Sequence, residues 1–150
     1  METNRCYQAR PTVSFRRSEF ICHFCSDLKI AYANPACCHH FKKNPAELIG
    51  KHFLSLLLIR KDRNIIQRML KTLTPRYPIL TIENGEDSGN GPAAWMQWVC
   101  RGFFNDSDAV TEIQAIGRDI THQKEEEMVL YETKQQYQAV VEDQMELVCR

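Results

Sequence analysis

The sequence predicts an α+β fold, in which an antiparallel β-sheet carries short helices on one face and a long helix ends the chain. Three observations lead to this prediction. Short segments near both ends of residues 19–121 alternate apolar with polar residues, as half-buried strands do. Between them, two Asn-Pro pairs and an apolar stripe of helical period indicate helices. Short turns between the strand segments favour antiparallel pairing with the helices on one face.

The size and charge of the chain limit the classes of protein to which it can belong. Its 150 residues suit one domain with an appendage, and 43% hydrophobic residues are enough for a buried core. The 19 basic residues balance 19 acidic ones, so no overall field attracts nucleic acid. No apolar run is long enough to form a membrane segment. Seven cysteines, an odd number, argue against a disulfide framework, and we expect a cytoplasmic protein.

A hairpin begins the predicted domain. Residues 1–18 are polar, show no sustained period and predict a loose lead-in. The residues from Phe20 to Phe24 suit a strand, and Ile30–Ala33 suits a second one. The polar segment 26–29 between them has the composition of a turn.

Helices follow the hairpin. Asn34 and Asn44 each stand before a proline, which puts an N-cap residue in front of a proline at the first helical position. They predict two short helices over 35–41 and 45–49. From Asp62 to Leu73 the apolar residues fall on one side of a helical period, which predicts a longer amphipathic helix.

The second half of the domain returns to strands. We predict strands over 79–83, 95–104 and 110–117, with a turn-rich loop over 84–91 between the first two. From about Thr121 the chain is rich in Glu, Lys and Gln and contains neither Gly nor Pro, which predicts one long helix to the end of the sequence.

Three stretches of this sequence resemble a known family. They read YANPACCHHFKKNPAELIGKHFLSLL, WMQWVCRGFFND and EIQAIGRDITHQKEEE. Together they are similar to a PAS domain with its C-terminal PAC segment, as found in multi-PAS sensor histidine kinases and diguanylate cyclases of bacteria and archaea. The resemblance covers residues 20–124. It implies a five-stranded antiparallel sheet cupped around a pocket, with short helices over its face, in agreement with the elements predicted above.

The end of the chain resembles its beginning, which suggests how the chain is divided. YQAVVEDQMELVCR at Tyr137–Arg150 is similar to YQARPTVSFRRSEFICHF, which begins at Tyr7. In tandem PAS sensors, the helix that leaves one domain leads into the first strand of the next. We therefore expect a piece of a longer protein with four parts: a lead-in (1–18), a PAS/PAC sensor domain (19–121), a signalling helix (122–144) and the start of a second repeat (145–150).

Strand alternation divides the strand 95–104 into two faces. By resemblance to flavin-binding PAS relatives, the face with Met96 and Trp98 is turned inward. Small residues on the last strand could leave room beside Trp98 for a small apolar or aromatic ligand. Alternatively, larger neighbours fill this space and it is ordinary core. The candidate ligand-pocket residues are Met96, Trp98, Cys100, Ile113, Ala115 and Gly117.

The resemblance argues against flavin and haem, and the sequence requires no cofactor. Flavin-binding relatives carry a Gln at the position that matches Gly117, and an Asn-Cys-Arg-Phe-Leu-Gln run with the reactive cysteine. This sequence has neither. PAS haem sensors bind iron through a His on the long helix of the domain, and residues 62–73 contain no His.

Several cysteines have a spacing that suggests a metal site. Certain oxygen-sensing PAS proteins hold an iron–sulfur cluster with Cys-x2-Cys-x11-Cys-x2-Cys. Cys22, Cys25 and Cys37 match its first three positions, but the fourth is His40 and Cys38 is out of register. Residues i and i+3 of a regular strand point to opposite faces. We therefore favour buried, reduced thiols and no metal, and keep a cluster at these residues as the alternative.

The closing Gly-Arg-Asp-Ile-Thr run joins the last strand to the long helix. The resemblance implies that Asp119 and Thr121 couple changes in the pocket to the position of the helix, with Arg101 and Arg118 as charge partners near the end of the sheet. A simpler role is also open, in which Asp119 or Thr121 caps the helix.

The long helix carries a weak pattern for self-association. Apolar residues at 130, 137, 141 and 148 fit heptad spacing, but the intervening seam positions 134 and 144 are Lys and Gln. We expect a homodimer through the PAS domain and this helix. A plain solvated linker predicts the same composition.

These observations predict a sensory module and not an enzyme. The sequence has no His-Glu-x-x-x-Pro run, no ATP-binding glycine boxes and no Gly-Gly-Asp-Glu-Phe run. We expect a ligand or redox signal in the domain to alter the packing of the helix, and so an output domain in the same chain. A histidine kinase of a two-component system is favoured. The alternatives are the metal-based sensor described above and a structural dimerisation module with a filled core.

Overall fold

The computed structural model describes residues 19–56, 60–86 and 94–148, and the structural statements below concern these residues. Five antiparallel strands form one sheet, and helices lie between the strands in sequence and after the last one. This arrangement confirms the predicted α+β class. The strand order is β2-β1-β5-β4-β3, so the last strand lies at the centre of the sheet. The strands are β1 (Phe20–Cys25), β2 (Ile30–Ala33), β3 (Ile79–Glu86), β4 (Ala94–Phe104) and β5 (Val110–Asp119).

Helices occur at two places along the chain, between β2 and β3 and after β5. Those between β2 and β3 are α1 (Pro35–His40), α2 (Pro45–Leu48) and α3 (Arg60–Leu70), with a 3₁₀ helix at Phe53–Ser55; α4 (Thr121–Val148) follows β5. The chain divides into two compact units, one up to Asp119 and one from Ile120 onward. Among the described helices, none combines the length and the apolar character that crossing a membrane requires.

Asn34 fixes the start of α1 to the first strand. Its Oδ1 accepts the N–H of Cys37 at 2.8 Å, which is the N-cap bond that the sequence predicts. The same oxygen accepts the N–H of Ile21 at 3.0 Å, and the side-chain amide donates to the carbonyl of Glu19 at 2.9 Å. One side chain therefore connects β1 to α1.

The helix α2 begins and ends as its sequence indicates. The backbone N–H of Asn44 donates to Oε2 of Glu47 at 2.7 Å, which is one half of a capping box. Gly50 follows the helix with a φ of +79°, a conformation that residues with a Cβ adopt at a cost.

The core lies between the helices and one face of the sheet, which we call the inner face. The largest fully buried side chains come from β1, β2, β4, β5, α1, α2 and the 3₁₀ helix, so the sheet and the helices share one core. They include Phe24, Ile30, Leu48, Phe53, Met96, Trp98 and Ile113.

Two differences between the structure and the predicted elements exceed two residues. β3 extends to Glu86, so Asn84 and Gly85, predicted as loop, are paired with β4. α3 ends at Leu70 and not at residue 73. Residues 145–148 belong to α4, as the predicted long helix requires, and the start of a second repeat stays a prediction. The predicted lead-in (1–18) and residues 149–150 lie outside the described residues.

Candidate functional site in the sheet core

The six pocket candidates lie side by side on the inner face. In the sheet register Trp98 is opposite Gly117 and Cys100 is opposite Ala115. All six residues are buried, and their neighbours along β4 and β5 are half-buried or exposed. This alternation agrees with the two faces predicted from the sequence. The structure therefore brings together Met96, Trp98, Cys100, Ile113, Ala115 and Gly117.

The indole ring of Trp98 covers Gly117. A Cβ atom added to Gly117 would lie 2.6 Å from Cζ3 of Trp98 and 2.8 Å from its Cε3, closer than real contacts allow. The absence of a side chain at Gly117 therefore accommodates the ring and leaves no room there for a ligand. A Gln at this position, as in the flavin-binding relatives, would collide with the ring.

Aromatic residues surround the ring of Trp98. Phe53 meets it edge to face with ring centroids 5.5 Å apart. Phe41 stacks parallel to it at 6.3 Å. Such pairs stabilise a buried ring beyond the area they remove from water. Trp98 is therefore the centre of an aromatic cluster that joins β4 to the helical layer.

Two buried polar atoms next to this cluster have no hydrogen-bond partner among the described residues. They are Oδ1 of Asn84 and Nε1 of Trp98. Among the described residues, Asn84 is also the one polar or charged residue that is buried. The sequence prediction missed Asn84, because Asn-Gly reads as a turn. Continuing the alternation of β3 by two residues from Ile82 would have placed Asn84 on the inner face.

A cleft of about 270 Å³ lies at another edge of the domain. It is bounded by the β1–β2 turn, by α3 and by the start of β5. Of the six pocket candidates, Ile113 alone lines it. Asp27 stands at this cleft, and the backbone N–H of Lys29 holds the pKa of its carboxyl below its usual value. The lining residues are Ser26, Asp27, Leu28, His52, Gln67, Leu70, Lys71, Val110 and Ile113.

Three buried thiols form a cluster around the first strand. Cys22 and Cys37 are fully buried, and a hydrogen bond between their side chains, together with burial, raises the pKa of Cys22 well above its usual value. Cys100 lies at the same level of the sheet as Cys22, with Ala115 between them. Burial raises the pKa of Cys100 from 9.0 to about 12. The thiols of Cys22 and Cys100 are therefore protonated and poorly nucleophilic at neutral pH.

The residues proposed for an iron–sulfur cluster do not fit one. Cys22 is on the inner face of β1, whereas Cys25, three residues later, is on the other face. His40 stacks on the ring of Phe20 with centroids 4.3 Å apart. Within the described ranges, no group of three or more His, Cys, Asp or Glu side chains could hold a metal ion. Cys38 is buried and its pKa is raised by desolvation.

The predicted coupling residues are not all near one another. Arg118 forms an ion pair with Glu19, with Nη2 and Oε1 3.3 Å apart, and the sequence prediction missed this partner. Arg101 lies four residues further along β4 than Gln97, the residue opposite Arg118, which is about 13 Å of strand. Its guanidinium lies over the ring of Phe103, 5.7 Å from the centroid. Arg101 is therefore remote from the end of the sheet at which β5 leads into α4.

Asp119 and Thr121 lie on either side of the junction between β5 and α4. Asp119 is the last residue of β5 and is opposite Met96 in the register of the sheet. Thr121 is the first residue of α4. A single residue thus separates the end of the central strand from the start of the long helix.

A polar network that the sequence prediction missed lies on the outer face of the sheet. Nδ1 of His23 is 2.6 Å from Oε1 of Glu112, and Nε2 of His23 is 3.1 Å from the amide nitrogen of Gln114. If the amide donates to Nε2, the imidazole carries its proton on Nδ1 and donates it to Glu112. The ring of Tyr32 meets that of His23 edge to face. This network links β1, β2 and β5.

Comparison with solved structures finds the same fold in other proteins. The chain is similar to a domain of the putative light and redox sensing histidine kinase from Haloarcula marismortui, at 19% identity and a TM-score of 0.57, covering 69% of this chain and 90% of that chain. It is also similar to a sensory box histidine kinase/response regulator from Burkholderia thailandensis, at 15% identity and a TM-score of 0.62, covering 81% and 92%. These likenesses show the fold.

A third similar structure is the N-terminal domain of a diguanylate cyclase with PAS/PAC sensor from Marinobacter aquaeolei. The identity is 10%, the TM-score 0.56, and the match covers 71% of this chain and 98% of that chain. No curated protein matches the sequence. The sequence itself matches the family described as PAS fold over residues 15–125, which is more than half of the chain. The chain therefore belongs to the PAS fold family.

Proposed function

We propose that this chain is the sensory part of a signal-transduction protein, and that α4 relays the state of the PAS domain to an output domain such as a histidine kinase. One observation carries the proposal. The central strand β5 ends at Asp119 and the 28-residue helix α4 begins at Thr121. A change in the position of β5 reaches the helix through a single intervening residue.

The central position of β5 supports a role in coupling. It pairs with β1 on one side and β4 on the other. Its inner residues Ile113, Ala115 and Gly117 are buried in the core. Anything that displaces the core side chains, including Trp98 over Gly117, acts directly on this strand. Because cores are close-packed, such a displacement is transmitted and not absorbed.

The composition of α4 supports a parallel pairing of two chains along the helix. None of its side chains is buried, although it carries large apolar residues along its length. An isolated helix of this kind gains little stability from its own sequence. A second copy of the helix would cover apolar residues 130, 137, 141 and 148, and Lys134 and Gln144 would keep this seam weak. A weak seam can change its register at low cost.

An insertion series in a kinase chimera tests the relay. One to seven residues are inserted after Val141 in a fusion of this chain to a histidine kinase catalytic module, and autophosphorylation is measured. Each inserted residue rotates the following helix by about 100°. We expect activity to rise and fall with a period of about seven residues. As the matched control, replacement of Glu142 and Asp143 by alanine keeps the length of the helix and should leave autophosphorylation at the level of the chimera without an insertion.

A flat or steadily falling activity across the series would contradict the relay and indicate a plain linker. The covering of Gly117 by Trp98 favours a second candidate, a structural dimerisation module with a filled core. That candidate predicts a dimer whose kinase output is insensitive to insertions, so the same series separates the two functions.

A further inference from the structure

The cleft of about 270 Å³ at the edge of the domain combines an apolar floor with a polar rim. The buried residues that line it are Leu28, Leu70 and Ile113, and the half-buried Val110 adds to this apolar surface. Trp98 and the aromatic rings around it take no part in its lining. Most of the polar lining residues are exposed, so dissolved molecules can reach the rim. They are Ser26, Asp27, His52, Gln67 and Lys71.

The turn between β1 and β2 forms one wall of this cleft and is held by backbone hydrogen bonds. The N–H of Leu28 donates to the carbonyl of Cys25 at 2.8 Å, and the N–H of Phe53 donates to the carbonyl of Leu28 at 2.7 Å. An antiparallel bridge between Lys29 and His52 joins the turn to the segment before the 3₁₀ helix. The turn and His52 therefore belong to one fixed wall.

Leu28 has an unfavourable backbone conformation within this wall. Its φ of +63° lies in the left-handed region, which bulky side chains rarely adopt. Backbone strain of this kind persists where the surrounding structure fixes it, and it is concentrated at functional sites. In this conformation the Leu28 side chain is buried in the floor of the cleft, while the preceding residue, Asp27, is exposed at its rim.

Asp27 supplies a negative charge at the rim. Its Oδ1 accepts the backbone N–H of Lys29 at 3.0 Å, and this bond lowers the pKa of the carboxyl group. Its Oδ2 is 3.3 Å from Nζ of Lys29, and both side chains of this ion pair are more than half exposed. Such a pair contributes little stability, because water competes for both charges. The ammonium group of a ligand can therefore replace Lys29 at Oδ2.

Lys71 supplies a positive charge on a different wall of the cleft. It directly follows Leu70, the last residue of α3, and its side chain is exposed. Among the residues that the structure describes, Lys71 forms no ion pair. Its ammonium group can therefore bind a carboxylate. The rim thus carries one acidic and one basic group around an apolar floor.

We propose that this cleft binds a free α-amino acid with an aliphatic side chain. Asp27 binds the ammonium group, Lys71 binds the carboxylate, and the aliphatic side chain lies on the apolar floor. A ligand with a single charge satisfies one of the two groups, whereas an amino acid satisfies both. The cleft is slightly smaller than the range of about 300–1,000 Å³ that is typical of ligand pockets, which suits a molecule of this size.

The site goes beyond the proposed relay and does not depend on it, because binding requires no output domain. A titration of the whole ¹⁵N-labelled chain tests it at slightly acidic pH, where α-amino groups are protonated. The probes are L-leucine, leucinamide without the carboxylate, isocaproate without the ammonium group, and glycine without the aliphatic side chain. We expect leucine to shift the amide resonances of residues 26–29 and 71. It should bind at least about tenfold more tightly than each other probe, since each lacks one interaction.

Variants at the rim and away from it sharpen the test. Asp27→Asn keeps an oxygen for the N–H of Lys29 but removes the charge, and it should weaken leucine about tenfold while leaving isocaproate unchanged. Lys71→Gln should weaken leucine to a similar extent while leaving leucinamide unchanged. Asp106→Asn and Lys43→Gln, at exposed positions away from the cleft, are the matched controls and should bind leucine like the wild type.

Three results would overturn the site. They are amide resonances of residues 26–29 and 71 that millimolar leucine does not move, single-charge probes that bind as tightly as leucine, and leucine binding that survives both rim variants. The insertion series in the kinase chimera reports on the relay independently. Leucine binding with a flat series keeps the site and rejects the relay, and a periodic series without leucine binding keeps the relay and rejects the site.

Discussion

Large apolar side chains are buried in the sheet domain but exposed in the long helix α4. In the domain, large apolar side chains such as Trp98 and Phe24 are almost fully buried. In α4 no side chain is buried. The exposed large apolar residues of α4 are Met128, Val129, Leu130, Tyr131, Tyr137, Val140, Val141, Met145, Leu147 and Val148.

This difference shows which unit determines its own structure. The domain is stabilised by the burial of its own side chains, which is the main favourable term in folding. The helix obtains nothing comparable from its own residues, so its stability and packing depend on what it contacts. We infer that the helix is the part of the chain most easily altered by a signal.

The largest expected effect contrasts one buried residue with one exposed residue. Trp98→Ala should lower the free energy of unfolding by about 3–5 kcal/mol, because it leaves a cavity in the aromatic cluster. Met128→Ala, at a helix position that is 62% exposed and outside the proposed seam, should change it by less than about 0.5 kcal/mol. Urea unfolding of the two variants at one protein concentration measures the contrast. Equal losses would mean that α4 is as firmly packed as the domain.

A smaller effect is expected from the contact between Gly117 and Trp98. Gly117→Ala should lower the free energy of unfolding by about 1–3 kcal/mol, because the new methyl group overlaps a ring that is held on several sides. Gly85→Ala is the matched control in another strand, since its Cβ would meet Trp95 at an ordinary 3.8 Å. Thermal unfolding of both variants distinguishes a fixed ring from one that can move aside. Unchanged stability in Gly117→Ala would show the latter.

The smallest expected effect is a dependence of stability on pH that comes from the buried thiol of Cys100. The pKa of Cys100 is about 12 in the folded domain, against an ordinary value of 9.0. The unfolded chain therefore releases this proton at lower pH. The stabilising contribution is complete below pH 9 and is lost as the pH rises toward 12, by about 1 kcal/mol per pH unit. Urea midpoints between pH 8 and 10.5 measure the loss.

The variant Cys100→Ala assigns this slope to its thiol. It should be less stable than the wild type at pH 8, because it leaves a small cavity, but should lose less stability on going to pH 10.5. Cys25→Ala, at a half-buried position on the outer face of β1, provides the comparison. Identical pH dependences in wild type and Cys100→Ala would show that this thiol titrates alike in the folded and unfolded chains.

Much of the fold could be predicted because its signals are local. Alternation along residues 95–104 shows which side chains are inside, whatever the neighbouring strands do. The Asn-Pro pairs at Asn34 and Asn44 mark helix starts through bonds within four residues. Such features need no knowledge of the rest of the chain.

The candidate site was predicted less completely because its decisive features are not local. Asn84 and Gly85 have turn propensity, yet they lie in a strand because residues of β4 pair with them. That Trp98 lies over Gly117 depends on its rotamer, which packing between elements decides. The ion pair of Glu19 with Arg118 joins residues 99 positions apart. A short window of sequence contains only one of these two residues, so it cannot show that the other lies beside it.

The register between β1 and β5 has a consequence for how such domains are combined. Phe20, the first residue of β1, is opposite Gly117, near the end of β5. The chain therefore enters and leaves the sheet at neighbouring points, and the ion pair between Glu19 and Arg118 lies beside them. A module with adjacent entry and exit can be inserted, duplicated or circularly permuted with little disturbance to its host. Joining the two ends through a short linker and opening the chain within the exposed turn 105–108 should preserve the sheet.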